Sequence, residues 1–158
     1  MERYRHTQIG YTGPVGFVLL ALVFVAVLTG AGPTAGQLLG FAAFFALLTA
    51  VLLNFSRLTV WIDDDTLSVA FGRGWPIKTF PLADITAAAP MRNRMLDGFG
   101  IRSTETGLMY NVWGLQSVLI NLRDGQSFRI GTDEPTELVA VLGSVGVATP
   151  AAAWDEPS

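Results

Sequence analysis

The sequence predicts an α+β membrane protein: a two-helix transmembrane hairpin, then a small bent β-sheet or barrel of about seven strands with one C-terminal capping helix. Three observations predict this fold class. Two long apolar runs occupy the first third of the chain, alternation with period two begins at Arg57, and a helical apolar pattern follows Pro135. The predicted regions are an N-terminal segment 1–14, a hairpin 15–56, a β domain 57–146 and a disordered tail 147–158.

Charge is absent from a large part of the chain. Thr7 to Ser56 form a stretch of 50 residues without Lys, Arg, Asp, Glu or His, although charged residues make up 15% of the chain. Hydrophobic residues account for 51%, and the mean hydropathy is +0.45. A soluble domain of ordinary composition would carry about a dozen charges in such a stretch. This composition indicates a membrane segment.

The apolar runs 15–31 and 37–55 contain 17 and 19 residues. Each is close to the roughly 20 residues that cross a hydrocarbon core about 30 Å thick. Residues 30–36 break the helix, because Pro lacks an amide hydrogen and Gly tolerates positive φ, and so short a break predicts a reversal. The alternatives are a signal peptide and two core helices of a soluble protein. The second run argues against the former, and the lack of a polar stripe argues against the latter.

The flanks of the two runs predict their orientation. Arg3 and Arg5 precede the first run, Arg57 follows the second, and the connecting loop has no charge. Because cationic flanks stay cytoplasmic, we expect a multi-pass protein of the cell membrane with both termini in the cytoplasm.

Gly32, Gly36 and Gly40 form two overlapping steps of small residues spaced by four. In a membrane such spacing lets helix backbones approach closely, which could make a dimer interface. The simpler interpretation assigns these glycines to the turn, with the two helices packing on each other.

Alternating apolar residues predict the strands of the β domain, near residues 58–62, 67–71, 77–82, 85–89, 99–103, 108–113, 118–122 and 128–130. We expect turns at Asp63–Thr66, Gly72–Gly74 and Glu105–Gly107, and a loop over 90–98. Asp124-Gly125 predicts a type I′ turn. The last element is a helix with Pro135 in its first turn and Thr132 or Asp133 as its cap; Leu138, Val141, Leu142 and Val145 share one face.

The stretch from Gly100 through Leu142 resembles bacterial pleckstrin-homology-like (PH-like) domain proteins. The similarity is clearest in Met109–Gly114 (MYNVWG) and in Asp124–Pro135 (DGQSFRIGTDEP). The resemblance implies a PH-like fold attached to a membrane. It implies neither an activity nor site residues.

Charge and residue types exclude several kinds of chemistry. Residues 57–158 carry eight basic and twelve acidic side chains, a net charge of −4, which disfavours nonspecific binding of nucleic acid or of anionic lipid. The chain has no cysteine, which excludes disulfides and thiolate metal sites. His6, the only histidine, precedes the first span outside the predicted fold, and Asp63–Asp65 are expected to form a solvated turn rather than a metal site. No catalytic, cofactor or metal residue is predicted, and we do not expect an enzyme.

The candidate contact residues are basic or aromatic side chains in predicted loops and strand ends: Arg73, Trp75, Lys78, Arg92, Arg94, Tyr110 and Trp113. The predicted function is a membrane-anchored, non-catalytic interaction or scaffold module at the cytoplasmic surface. Its partners would be the bilayer and a protein or a second copy of the chain. One alternative is a module that senses lipid headgroups through the four basic residues. Another is an accessory subunit of a membrane enzyme or transporter complex.

Overall fold

The computed structural model describes residues 2–30, 32, 34–93, 100–104 and 107–150. It is an α+β protein, and its described residues form three helices and nine strands in two sheets. The helices are α1 (Thr12–Gly30), α2 (Ala35–Asn54) and α3 (Pro135–Ser144). The strands are β1 (Tyr4–Ile9), β2 (Arg57–Ile62), β3 (Thr66–Phe71), β4 (Ile77–Pro81), β5 (Ile85–Arg92), β6 (Gly100–Thr104), β7 (Gly107–Asn111), β8 (Gln116–Leu122) and β9 (Ser127–Gly131).

Helices α1 and α2 pack side by side in opposite directions. The rings of Phe24 and Phe45 meet edge to face, with centroids 5.0 Å apart. Thr34 begins α2 with a capping box, in which its hydroxyl accepts from the amide of Gln37 and the Gln37 side chain accepts from the Thr34 amide. By length and composition α2 can cross a membrane, and the described apolar part of α1, Val15–Gly30, is shorter.

The first sheet is an antiparallel meander in the order β1-β2-β3-β4. Strand β1 pairs with β2 from Tyr4 opposite Ile62 to Ile9 opposite Arg57. The expectation that the residues before the first span lie outside the fold is therefore wrong. Only Tyr4 and Gln8 of β1 are buried, so its alternation is mostly polar and gave no strand signal. The helical hairpin is thus an insertion between two neighbouring strands.

The second sheet has the order β5-β8-β9-β7-β6, with β7 parallel to β9 and the other pairs antiparallel. Helix α3 packs on β5 and β8 and inserts Leu138 and Leu142, both fully buried. The two sheets and this helix enclose one hydrophobic core.

The packed domain continues past Gly146. Val147 is buried, and Ala148 bridges to Ala87. The first residues of the predicted disordered tail therefore belong to the fold, while residues 151–158 of that tail lie outside the described residues.

Two local predictions in this domain are wrong. Among the described residues no non-glycine has positive φ, so Asp124 does not form the type I′ turn. Within the Asp124-Gly125 pair, only Gly125 has positive φ, at +83°. The Asp124 carboxylate instead accepts from the amide of Gln126 at 2.9 Å. At the start of α3 the capping position is Glu134, which makes no side-chain cap hydrogen bond, rather than Thr132 or Asp133.

Strand β5 also runs further than predicted. Pro90 to Arg92 pair with β8 instead of opening a loop, and the rest of the predicted loop, from residue 94, lies outside the described residues. Pro90 is tolerated because β5 is an edge strand of its sheet.

Candidate functional site

The strongest concentration of chemically distinctive side chains lies where the helical hairpin meets the β domain. We call this the base surface and define it by Ile9, Tyr11, Asn54, Arg57, Arg73, Trp75 and Trp113. These residues come from four places in the sequence: the two ends of the hairpin, the β3–β4 turn and the β7–β8 loop.

Several contacts fasten the hairpin to the domain at this level. The amide of Gly10 donates to the carbonyl of Ser56 at 2.7 Å, which closes the hairpin. The amide nitrogen of the Asn54 side chain donates to the carbonyl of Trp75 at 2.6 Å, which ties the β3–β4 turn to the end of α2. The Phe55 ring packs on Phe71 of the core, with centroids 5.0 Å apart. The hairpin is therefore continuous with the domain and is not a flexible tether.

Three aromatic side chains surround the base of the hairpin, and all three are exposed. Trp75 has 74% of its surface exposed, and its backbone carbonyl is held by the end of α2. The rings of Tyr11 and Trp113 meet edge to face at 5.7 Å. The sequence prediction named Trp75 and Trp113 but missed Tyr11. Its signal was an aromatic residue four positions before the start of an apolar run, because Trp and Tyr are enriched at membrane interfaces.

An open cavity of about 590 Å³ lies within the base surface. Its lining includes Ile9, Ala50, Leu53, Asn54, Arg57 and Arg73, and none of its described lining residues is acidic. Both arginines are exposed, and neither forms a salt bridge with a residue that the structure describes. Arg57 was considered in the sequence only as a cationic flank, since no pattern linked it to the distant β3–β4 turn.

The other predicted contact residues lie elsewhere. Lys78 and Tyr110 line a second open cavity of about 740 Å³ between β4, β7 and the β8–β9 turn. Tyr110 is buried, and burial raises the pKa of its phenol. Arg92 is exposed at the end of β5, where the next residue bonds to the loop that carries Trp113. Arg94 lies outside the described residues. Of the three predicted basic residues that the structure describes, the base surface holds only Arg73.

No protein-family model and no curated protein matches this chain. The base surface is therefore interpreted from its own chemistry. The surface contains three exposed aromatic rings and two arginines. It lies between the two apolar helices and the packed β domain.

A second polar cluster joins β1 to the start of α3. His6 Nε2 lies 2.6 Å from a carboxylate oxygen of Asp133, and Nδ1 lies 3.0 Å from one of Glu134. Burial raises the pKa of the neighbouring Tyr4, and the negative charges of Glu134, Glu137 and Asp133 raise it further. His6 is therefore part of the fold, contrary to prediction. Its partners, Asp133 and Glu134, are 127 and 128 residues away in the sequence, so no local pattern could reveal them.

The run of aspartates forms the predicted turn between β2 and β3. Asp63 donates its amide to the carbonyl of Thr66, and Arg3 Nε donates to the carboxylate of Asp64 at 3.2 Å. Among the residues described, no group of three or more His, Asp or Glu side chains is arranged to hold a metal ion. This carboxylate therefore binds Arg3, the residue directly before β1.

Sequence reasoning also missed a buried polar group at the end of β5. Asn93 accepts from the hydroxyl of Ser117 at 2.9 Å and from the guanidinium of Arg129 at 3.4 Å. Arg129 is buried although it occupies the polar position between Phe128 and Ile130. Alternation predicts a solvent-facing side chain at this position, and only the fold shows that it is buried.

Proposed function

We propose that the protein is a membrane-anchored, non-catalytic interaction module. In this proposal α1 and α2 both cross the bilayer, and the β domain stands at the cytoplasmic surface. The hairpin localises the domain, which binds a protein partner or a second copy of the chain.

The observation that carries the proposal is the exposure of apolar side chains all round the hairpin. Leu22, Leu39 and Leu47 are each more than 60% exposed, and no described residue of α2 is buried. A core helix of a soluble protein buries at least one apolar face. Leaving each leucine in water forgoes roughly 1.5–3 kcal/mol of hydrophobic stabilisation, so a hydrocarbon solvent suits this surface better.

The fastening of the hairpin supports two spans rather than one. The Gly10–Ser56 hydrogen bond holds the start of α1 level with the end of α2. The helices contain 19 and 20 residues, so each is about 28–30 Å long at 1.5 Å per residue. Because they pack along each other and share one end, a bilayer crossed by α2 is also crossed by α1.

The charges around the base support the cytoplasmic orientation. Arg57 and Arg73 line the base cavity, and Arg3 and Arg5 lie on or beside β1 on the same side of the hairpin. Residues around the opposite turn carry no formal charge. By the positive-inside rule, the β domain belongs in the cytoplasm.

The β domain offers features that support protein binding. Strands β4 and β6 are edge strands, and most of their residues are exposed. Exposed sheet edges accept an added strand from a partner. Two sheets closed by a C-terminal helix also support the proposed PH-like fold, although the parallel β7–β9 pair was not anticipated.

Site-directed labelling tests the anchoring, because the chain has no native cysteine. We expect Thr34→Cys at the hairpin turn to react with a membrane-impermeant maleimide on intact cells. We expect Ser144→Cys in α3 to react only after permeabilisation. Labelling of both positions on intact cells would contradict the cytoplasmic orientation, and labelling of neither until detergent is added would contradict a hairpin that crosses the membrane.

Photo-crosslinking tests the interaction role. A crosslinking amino acid at Leu108, exposed on β7 beside the open cavity, should yield a defined adduct in native membranes. The matched control is the same amino acid at exposed Ala140 on α3, which should yield much less. Equal, diffuse adducts from both sites would contradict a specific partner surface.

A further inference from the structure

We propose that the base cavity binds the phosphate group of an anionic phospholipid, so that the domain is fixed on one lipid headgroup as well as by its helices. This inference rests on the proposed membrane anchoring. It assigns the site to Arg57 and Arg73, which line one cavity although they lie on different turns of the chain.

The charge of the cavity favours an anion. Two guanidinium groups line it, and none of its described lining residues is acidic. Each guanidinium presents five N–H donors in a planar fork that matches phosphate oxygens. Neither side chain forms a salt bridge with a carboxylate among the described residues. The overall acidity of the domain is therefore no obstacle, because none of its described carboxylates lines this cavity.

The backbone around the two arginines is held firmly. The amide of Gly72 donates to the carbonyl of Arg57 at 2.9 Å, which joins the β3–β4 turn to the start of β2. Gly72 has φ +54°, and a Cβ there would collide with the side chain of Asn54. Only glycine lets the turn press this closely against the end of α2. Arg73 is thereby presented over the cavity by a fixed turn.

The apolar wall of the cavity favours a lipid over a free phosphate. Ile9, Ala50 and Leu53 line it beside the arginines, and all three are exposed. An amphiphile places its phosphate on the cations and its glycerol and upper acyl chain on these side chains. Inorganic phosphate would gain nothing from them, since it buries no apolar surface.

The end of α2 also lies at the cavity, and the negative end of a helix dipole disfavours an anion. Here two of the last carbonyls, those of Val51 and Leu53, already accept hydrogen bonds. The amide of Phe55 donates to Val51 at 3.0 Å, and the Ser56 hydroxyl donates to Leu53 at 2.7 Å. These bonds reduce the negative potential that a bound phosphate would meet.

Native mass spectrometry of the full chain in detergent tests the proposal. The protein is offered equal amounts of phosphatidylglycerol and phosphatidylcholine of the same acyl chains. We expect one phosphatidylglycerol to be retained with about a tenfold preference, which corresponds to about 1.4 kcal/mol. The double variant Arg57→Gln/Arg73→Gln should lose this preference. Because Arg73 is an exposed turn residue, Arg73→Gln alone serves if the double variant does not fold.

The matched control is Lys78→Gln/Arg92→Gln, which also removes two positive charges but lies outside the cavity. It should keep the preference. Equal retention of the two lipids by the wild type, or equal loss in both double variants, would overturn the proposal. Displacement of phosphatidylglycerol by inorganic phosphate at constant ionic strength would also overturn it and indicate a free-phosphate site.

Extraction of membranes with alkaline carbonate separates this proposal from the membrane anchor. We expect the wild type and both double variants to stay in the membrane pellet. Release of the wild type would contradict the anchor itself. Retention of the wild type together with no lipid preference would contradict only the headgroup site.

Discussion

The hairpin and the β domain contain the same types of apolar residue, but the hairpin exposes them and the β domain buries them. In the domain Leu58, Ile62 and Leu142 are buried in a core that strands and a helix surround. In the hairpin Leu22 and Leu47 point outward, with 62% and 67% of their surfaces exposed. The β domain thus buries its large apolar side chains in a core, whereas the hairpin leaves them on its surface. Hydrophobic content alone therefore does not distinguish a core from a lipid-facing surface, and burial does.

The largest expected effect comes from a charge placed on the exposed face of the hairpin. Leu22→Lys and Leu47→Lys should each cost about 2.5–3.5 kcal/mol of membrane insertion, because lysine is moved into hydrocarbon. The measurement is the fraction of protein that resists carbonate extraction.

Leu108→Lys is the matched control, since Leu108 is also an exposed leucine but lies on β7. We expect it to leave the membrane fraction unchanged. If all three variants kept the same membrane-bound fraction, the result would contradict the proposal that the hairpin lies in lipid and the β domain in water.

A comparable effect is expected from truncating a core leucine. Leu138→Ala removes a fully buried side chain of α3 and should destabilise the β domain by about 2–5 kcal/mol. The measurement is denaturant unfolding in detergent, followed by near-ultraviolet circular dichroism.

The control for this truncation is Leu39→Ala, at a leucine that is 74% exposed on α2. We expect less than about 1 kcal/mol there, because no cavity forms. Equal destabilisation by the two variants would contradict the assignment of a core to the β domain alone.

A smaller effect is expected from the cluster that ties β1 to α3. His6→Ala should destabilise the domain by about 1 kcal/mol, because it leaves the carboxylates of Asp133 and Glu134 close together without their shared partner. Thr7→Ala, whose hydroxyl meets Thr59 at 2.9 Å on the exposed face, should cost less. The same unfolding experiment measures both, and a neutral His6→Ala would contradict a structural role for β1.

High pH should act on the domain through its buried phenols. Burial raises the pKa of Tyr4 and of Tyr110, so the folded state disfavours the tyrosinates that the unfolded chain forms above about pH 10. This contribution is intact below the unfolded pKa and is lost as the pH rises through the folded pKa. Unfolding of the Tyr110→Phe variant should therefore depend less steeply on pH above 10 than that of the wild type, and identical slopes would contradict this account.

The smallest effect is expected on the outer face of the hairpin. A Cβ at Gly40 meets nothing within 4 Å, whereas one at Gly16 would contact the Leu52 side chain at 3.0 Å. Gly40→Ala should thus change hairpin stability by less than about 1 kcal/mol in the stabilising direction, and Gly16→Leu should weaken helix packing. Thermal unfolding in detergent compares them.

The sequence predicted most of the helices and strands that have a clear pattern of apolar residues within their own segment. Strands with strong alternation, such as β2, β3 and β8, and the helix that begins at Pro135 lie where periodicity predicted them. Strand β1 was not predicted, because its alternation is mostly polar and its partner β2 comes only after the whole hairpin. The base cavity escaped for the same reason: Arg57 and Arg73 meet through a turn pressed on α2, and no spacing encodes that contact. Trp75 and Trp113 were named from their residue type, and both are exposed at the base surface, whereas Tyr110, named in the same way, is buried.

Site-directed spin labelling in lipid bilayers tests the central claim most directly. Labels at Leu22→Cys and Leu47→Cys can be read singly, because no native cysteine competes. If α1 and α2 cross the membrane, both labels will collide readily with dissolved oxygen and hardly at all with a water-soluble nickel chelate. Ready collision of either label with the chelate would place that helix in water and contradict the membrane hairpin.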